Sequence, residues 1–239
     1  MRLPILRVRA GQAGEWMDKL NRFFRDNGLT LALMAIFCLC ILGMVWSGWL
    51  EENATLAEHG RPAIYVLDYF FSASFQSALF ENWESEFLQM SAYVIMTAML
   101  FQRGSAESKD PDKVNPEDAD PQQKRRNKHA PWPIKAGGLW SALYSYSLGI
   151  ALLALFAASF ILHWLQSAAA SNQEALLHGQ PAHSAIEHLA DPLLWFESFQ
   201  NWQSEFLSTA VLVVLSVILR YRGSPESKPV ADPHSKTGH

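Results

Sequence analysis

Apolar and polar positions are grouped along this chain into long blocks. Residues 29–50 are 22 consecutive positions without a charged side chain. A helix needs roughly 20 apolar residues to cross a hydrocarbon core of about 30 Å, so this block predicts a first membrane span. A cleaved signal peptide would lie nearer the N-terminus, with a shorter apolar core. A second clear span covers residues 146–166 and is interrupted only by His163. Two weaker spans cover residues 83–102 and 202–221, making four. The polar blocks between them read as a cytoplasmic N-terminal segment (1–28), a disordered linker (104–138) and a tail (223–239). Within the first, Trp16, Leu20, Phe23 and Phe24 share one helical face, which predicts an amphipathic helix on the inner interface. Met17 opens a segment that would suffice as the chain's start.

The blocks repeat. Residues 82–88 read NWESEFL and residues 201–207 read NWQSEFL, an offset of 119. The same offset aligns His59-Gly60-Arg61-Pro62-Ala63 with His178-Gly179-Gln180-Pro181-Ala182, and RGSAESK at 103–109 with RGSPESK at 222–228. Over residues 22–109, 25 of 88 positions match without a gap. This is a tandem repeat of a two-span unit, with copies at 29–103 and 139–222. An even number of spans per copy gives both copies the same orientation, as in parallel-repeat membrane folds. The expected fold is an all-α, four-helix membrane bundle of two parallel-related hairpins. Interfacial helices are expected in the outer loops, where residues 64–80 are rich in aromatics. Asp191-Pro192 reads as an N-cap followed by an N1 proline, predicting a helix that runs from there through span 4.

Charge assigns the sides. Of the 19 Lys and Arg, all but Arg61 lie before span 1, between spans 2 and 3, or after span 4. Positive residues stay cytoplasmic, so both ends and the linker are expected inside. The outer loops, counted through Glu86 and Glu205, carry net charges of −6 and −5. Loops lacking Lys and Arg explain that acidity; a vestibule that concentrates cations is the sharper reading. Trp46, Trp49, Trp83, Trp164, Trp195 and Trp202 fall at outer span ends, as an aromatic belt does. Charged residues are 18% of the chain, against about 25% for soluble proteins. A net charge of −4 offers no basic surface for nucleic acid, and two Cys exclude a disulfide scaffold or a four-Cys zinc site.

One constellation suggests chemistry. Only 16 residues separate Glu86 from Arg103, and 14 separate Glu205 from Arg220. A span of about 20 residues therefore reaches back past both glutamates to Trp83 and Trp202. Glu86 and Glu205, with Asn82 and Asn201 beside them, become a candidate membrane-embedded polar site, since ionisable groups at that depth face a bundle interior or a wet cavity. The competing reading is helix-start architecture, with Asn82 as N-cap and carboxylates in the first turn. Trp83, Trp202, Arg103 and Arg222 serve as interface anchors, and Gly of the RGSxESK motif as a helix C-cap. His178, His183 and His188, with Glu187 and Asp191, offer donors for a metal without any familiar spacing. No hydrolase, zinc-protease, P-loop or dinucleotide motif occurs, so neither an enzyme nor a cofactor is expected.

The repeated NWxSEFL and RGSxESK motifs resemble a family of uncharacterised bacterial integral membrane proteins, over about residues 22–109 and 141–228. The resemblance implies a bacterial inner-membrane location and no activity, ligand or catalytic residue. The leading expectation is a non-enzymatic envelope or scaffold protein in the lipid bilayer. The alternatives are a cation or proton conduit at Glu86 and Glu205, for which a homo-oligomer is expected, and metal binding by the outer loop.

Overall fold

The computed structural model describes the backbone of residues 5–238 and the side chains of residues 16–238. Part of the expected 1–28 segment thus lies outside the described residues. Every α or strand element among the described residues is helical: α1 (Ile5–Glu58), α2 (Val66–Phe70), α3 (Ala73–Met99), α4 (Trp132–Ala136), α5 (Gly138–Ser145), α6 (Ser147–Leu177), α7 (Ala185–His188) and α8 (Pro192–Ile218). They form two compact units, Met1–Phe71 and Ser72–His239. This boundary falls inside the first sequence copy, and α3 packs with helices of the second.

In the first unit, α1 is a single helix of 54 residues. The amphipathic segment is therefore no separate interfacial helix but the leading part of α1. The polar border at 26–28 does not break it, because no proline intervenes and the Asn27 amide donates back to the Phe23 carbonyl at 2.9 Å. The helix ends in a Schellman turn. Gly60 takes φ +65°, and the Arg61 N–H donates to the Leu56 carbonyl at 2.8 Å. The following loop is tied back by Asn53, whose side chain accepts from the Ile64 N–H at 2.7 Å and donates to its carbonyl at 3.2 Å. Tyr69 of α2 is buried against Gly48, and burial, with Glu52 beside it, pushes the phenol above its usual pKa range.

In the second unit, α3 packs along α6 and against α8. α6 and α8 meet through Phe156 with Trp202 and Phe160 with Trp195. The interior of this bundle is polar. Glu84, Ser85, Gln89, Ser91, Ser159, His163, Ser167 and Ser198 are buried, while Leu148, Ile150, Leu155, Ile161, Val211, Leu212 and Leu215 are exposed. Such inverted polarity suits helices surrounded by hydrocarbon. Three described helices are long and apolar enough to cross a membrane: Trp16–Glu58, Ser147–Leu177 and Pro192–Ile218. α3 has the same 27-residue length as α8 but carries Glu81, Glu84 and Glu86 and is not among them.

Local geometry recurs at the 119-residue offset. α3 and α8 start after N-caps Ser72 and Asp191 and end at Leu100 and Leu219. Asn172 ties back His183 by two bonds of 2.8 Å, as Asn53 ties back Ile64. Gly104 (φ +82°) and Gly223 (φ +89°) occupy the same turn. There the Gln102 and Tyr221 N–H groups donate to Ser108 and Ser227 Oγ at 2.9 and 3.0 Å.

The linker, expected to be disordered, adopts ordered turns. Arg103 forks onto Asp112, Lys109 pairs with Asp118, and Pro116–Asp118 and Pro121–Lys124 are short 3-10 turns. Arg125 caps the α4 end by donating to Lys135 and Ala136 carbonyls. Composition pointed to disorder because apolar residues are few; local ion pairs and carbonyl caps supply the order instead.

Candidate functional site

The buried polar residues of the second unit converge on Glu84. It lies in the middle of α3, and its side chain and that of His163, from the middle of α6, are both 0% exposed. His163 Nδ1 is 3.0 Å from Glu84 Oε2. The other carboxylate oxygen accepts from Ser198 Oγ at 2.8 Å and from the Trp202 indole N–H at 3.1 Å, both on α8. Three donors on two helices thus satisfy one buried carboxylate, as burial of a charge requires. In the neutral form of the ring, the Nδ1 contact with a carboxylate selects the tautomer that carries its proton on Nδ1.

The network continues outward. His163 Nε2 is buried, makes no hydrogen bond, and lies 3.4 Å from Glu197 Oε2. The Glu197 carboxylate accepts from Ser167 Oγ at 3.0 Å, and that hydroxyl is 3.0 Å from His188 Nε2. His188 Nδ1 stands 3.8 Å from Asp191 Oδ2, beside a cavity of about 210 Å³ lined also by His183, Glu187 and Asn172. Alongside, Asn201 donates to Glu81, one turn from Glu84 on the same face of α3. Electrostatically the site gathers three carboxylates, Glu81, Glu84 and Glu197, around a single imidazole.

Comparison places the chain in a family. The model of a domain of unknown function, DUF6766, matches residues 20–239. The chain belongs to this family. No curated protein and no solved structure matches it.

In this DUF6766 chain, the polar site expected from sequence is divided. Glu86 is exposed, and Glu205 is half-buried, near enough for each to feel the other's charge. They are not the buried carboxylates of the bundle. The physical reason is rotation: two residues along a helix turn the side chain by about 200°, so Glu86 leaves the face that buries Glu84. Asn82 is exposed and bonds its own helix at the Ala78 carbonyl. Asn201 alone of the four engages a buried-face carboxylate, Glu81. The helix-start reading is corrected as well. α3 begins after Ser72 and α8 after Asp191, so NWxSEFL sits in mid-helix in both.

Among the anchors, Trp202 turns its N–H inward to Glu84, and Trp83 stacks edge-on with Phe80 at 5.6 Å. Arg103 is held by Asp112, and Arg222 is exposed. No group of three His, Cys, Asp or Glu side chains is gathered as a metal centre among the described residues. His178, His183 and His188 are thus not brought together as ligands. Sequence reasoning did not select Glu84, Glu197, Ser198 or Ser167, and it noted His163 only as an interruption of the span at 146–166. A signal was present: Glu84 faces Gln203 at the repeat offset, and His163 faces Met44.

Proposed function

We propose that this protein is a four-span protein of the bacterial inner membrane whose bundle holds a proton-binding carboxylate–imidazole site, Glu84 with His163, serving non-enzymatic proton conduction. The spans are α1, α3, α6 and α8, in two tandem parallel-related repeats, with the N- and C-terminal segments and residues 104–138 on the cytoplasmic side. The matching lengths and caps of α3 and α8 support the fourth span and the duplication. The distribution of Lys and Arg supports the sidedness.

The observation that carries the functional reading is the complete burial of Glu84 and His163, 3.0 Å apart, inside helices whose outer surfaces are apolar. Ionisable groups at such positions are costly and mark ion or proton paths. The pair replaces Glu86 and Glu205 as the centre of the conduit. The number of spans is small, and a homo-oligomer is the expected functional state, measurable by light scattering of the purified protein.

The test is proton flux into proteoliposomes. Wild type is expected to exceed empty liposomes, Glu84→Gln to fall to their level with helicity retained, and the Glu86→Gln/Glu205→Gln double variant to keep most of the flux. Wild-type flux no greater than that of empty liposomes overturns the reading. A second reading, an envelope scaffold, draws on the way Glu84 ties α3 to α6 and α8 at once. It predicts that Glu84→Gln lowers stability and moves no flux.

A further inference from the structure

The polar chain from Glu84 to the outer loop has one gap, and that gap is the size of a proton. Glu84, His163, Glu197, Ser167 and His188 follow one another at 3.0, 3.4, 3.0 and 3.0 Å. With the His163 proton on Nδ1, its Nε2 lone pair faces the Glu197 carboxylate. Two acceptors then confront each other in a buried place, an arrangement that one added proton converts into a hydrogen-bonded pair. We infer that His188, Ser167 and Glu197 form the proton entry to the Glu84–His163 site from the outer-loop cavity. This inference rests on the proton-binding reading of that site.

Each transfer balances. A proton from water in the cavity binds His188 Nδ1, on the side of Asp191. The Nε2 proton of His188 passes to Ser167 Oγ as the hydroxyl proton of Ser167 passes to Glu197 Oε2. Glu197 then gives that proton to His163 Nε2, and His163 gives its Nδ1 proton to Glu84 Oε2. One proton has entered and one rests on Glu84. Both imidazoles have exchanged tautomers, and a ring flip or a return proton resets them. Serine suits the middle position because one hydroxyl accepts and donates at once. The charged and titratable groups facing the chain are Glu81 and Glu84 from α3, Glu197 from α8, His188 from α7 and Asp191 at the α8 cap.

The first repeat marks this path as a specialisation of the second. At the 119-residue offset, Ser167 corresponds to Gly48, His188 to Tyr69 and Glu197 to Ala78. In the first unit the Tyr69 hydroxyl presses so closely on Gly48 that a Cβ there would collide with it. One copy fills the place with a phenol over a glycine; the other holds a hydroxyl and an imidazole that can pass a proton.

The experiment is an acid jump on the full chain in lipid nanodiscs, with infrared detection of the carboxyl band that Glu84→Gln removes. Ser167→Ala is expected to slow the appearance of that band by roughly tenfold or more, and Ser167→Thr, which keeps the hydroxyl, to restore it. His188→Gln is expected to slow it likewise. An unchanged rate in both Ser167→Ala and His188→Gln overturns the route while leaving the Glu84 site in place. The absence of any Glu84 band in the wild type overturns the site itself. Ser167→Thr as slow as Ser167→Ala, with unaltered helicity, shows that packing and not the hydroxyl sets the rate, and it also overturns the route.

Discussion

At the scale of single residues, the bundle depends on how Glu84 is satisfied. Its two oxygens take His163 on one side and Ser198 with Trp202 on the other. Glu84→Ala leaves His163, Ser198 and Trp202 without their acceptor, and an unsatisfied buried donor costs about 1–3 kcal/mol. Denaturant unfolding in detergent micelles should show that loss, with a smaller one for Glu84→Gln, which keeps one acceptor oxygen. Outside the long apolar helices, Glu187 makes a residue-scale prediction about pH. The Ser184 N–H and hydroxyl, at 2.7 and 2.9 Å, hold its carboxyl below the usual carboxylate range. Its folded pKa is depressed, so the capping box of α7 contributes fully above about pH 4.3, the ordinary glutamate value, and is lost as pH falls through the folded value. NMR titration of Glu187 should return a pKa below that ordinary value, and Ser184→Ala should raise it.

At the scale of elements, the ends of the helices carry the information. Asp191 caps α8 through the Leu193 N–H at 2.9 Å, and Pro192 follows at the first helical position. Asp191→Ala should cost about 1 kcal/mol of stability, read as a lower thermal midpoint. The same residue ends the outer polar chain, so the variant should also change the proton entry kinetics. In the first unit, Gly48→Ala forces a methyl into the Tyr69 ring and should cost roughly 1–3 kcal/mol by overpacking. The expected readout is faster protease cleavage in the loop at residues 60–65. These ends were legible from sequence: Asp191-Pro192 and the RGSxESK glycines at 104 and 223 stand where the chain turns. The true start of α3 was not legible, because NWxSEFL imitates a cap, whereas Ser72 provides one ten residues earlier.

At the scale of the whole second unit, the turn that follows α3 is closed by the tail. Lys228 is buried, and its ammonium group donates to the carbonyls of Gly104, His234 and Lys236. The Gly104 N–H donates to Thr237 Oγ1 at 2.9 Å and the Gly238 N–H to the Ser105 carbonyl at 2.9 Å. Lys228→Met removes the donor common to these carbonyls, and an unsatisfied buried acceptor costs about 1–3 kcal/mol. Limited proteolysis should then cut residues 229–238 faster than in wild type.

Sequence alone determined the features that depend on one-dimensional order. Apolar blocks of membrane length, the confinement of all but one Lys and Arg to alternate polar blocks, and the recurrence of motifs at an offset of 119 are all read from position along the chain, because crossing a hydrocarbon core is a property of a segment as a whole. Helix caps were legible for the same reason, since a cap is a contact between residues a few positions apart. The identity of the buried site was decided only by tertiary structure. Which of Glu81, Glu84 and Glu86 faces inward depends on the rotation of α3 against α6 and α8. The partners that make a buried carboxylate tolerable lie 79 to 118 residues away in sequence. Those donors were visible as residues but not as neighbours, and only packing brought them to one carboxylate.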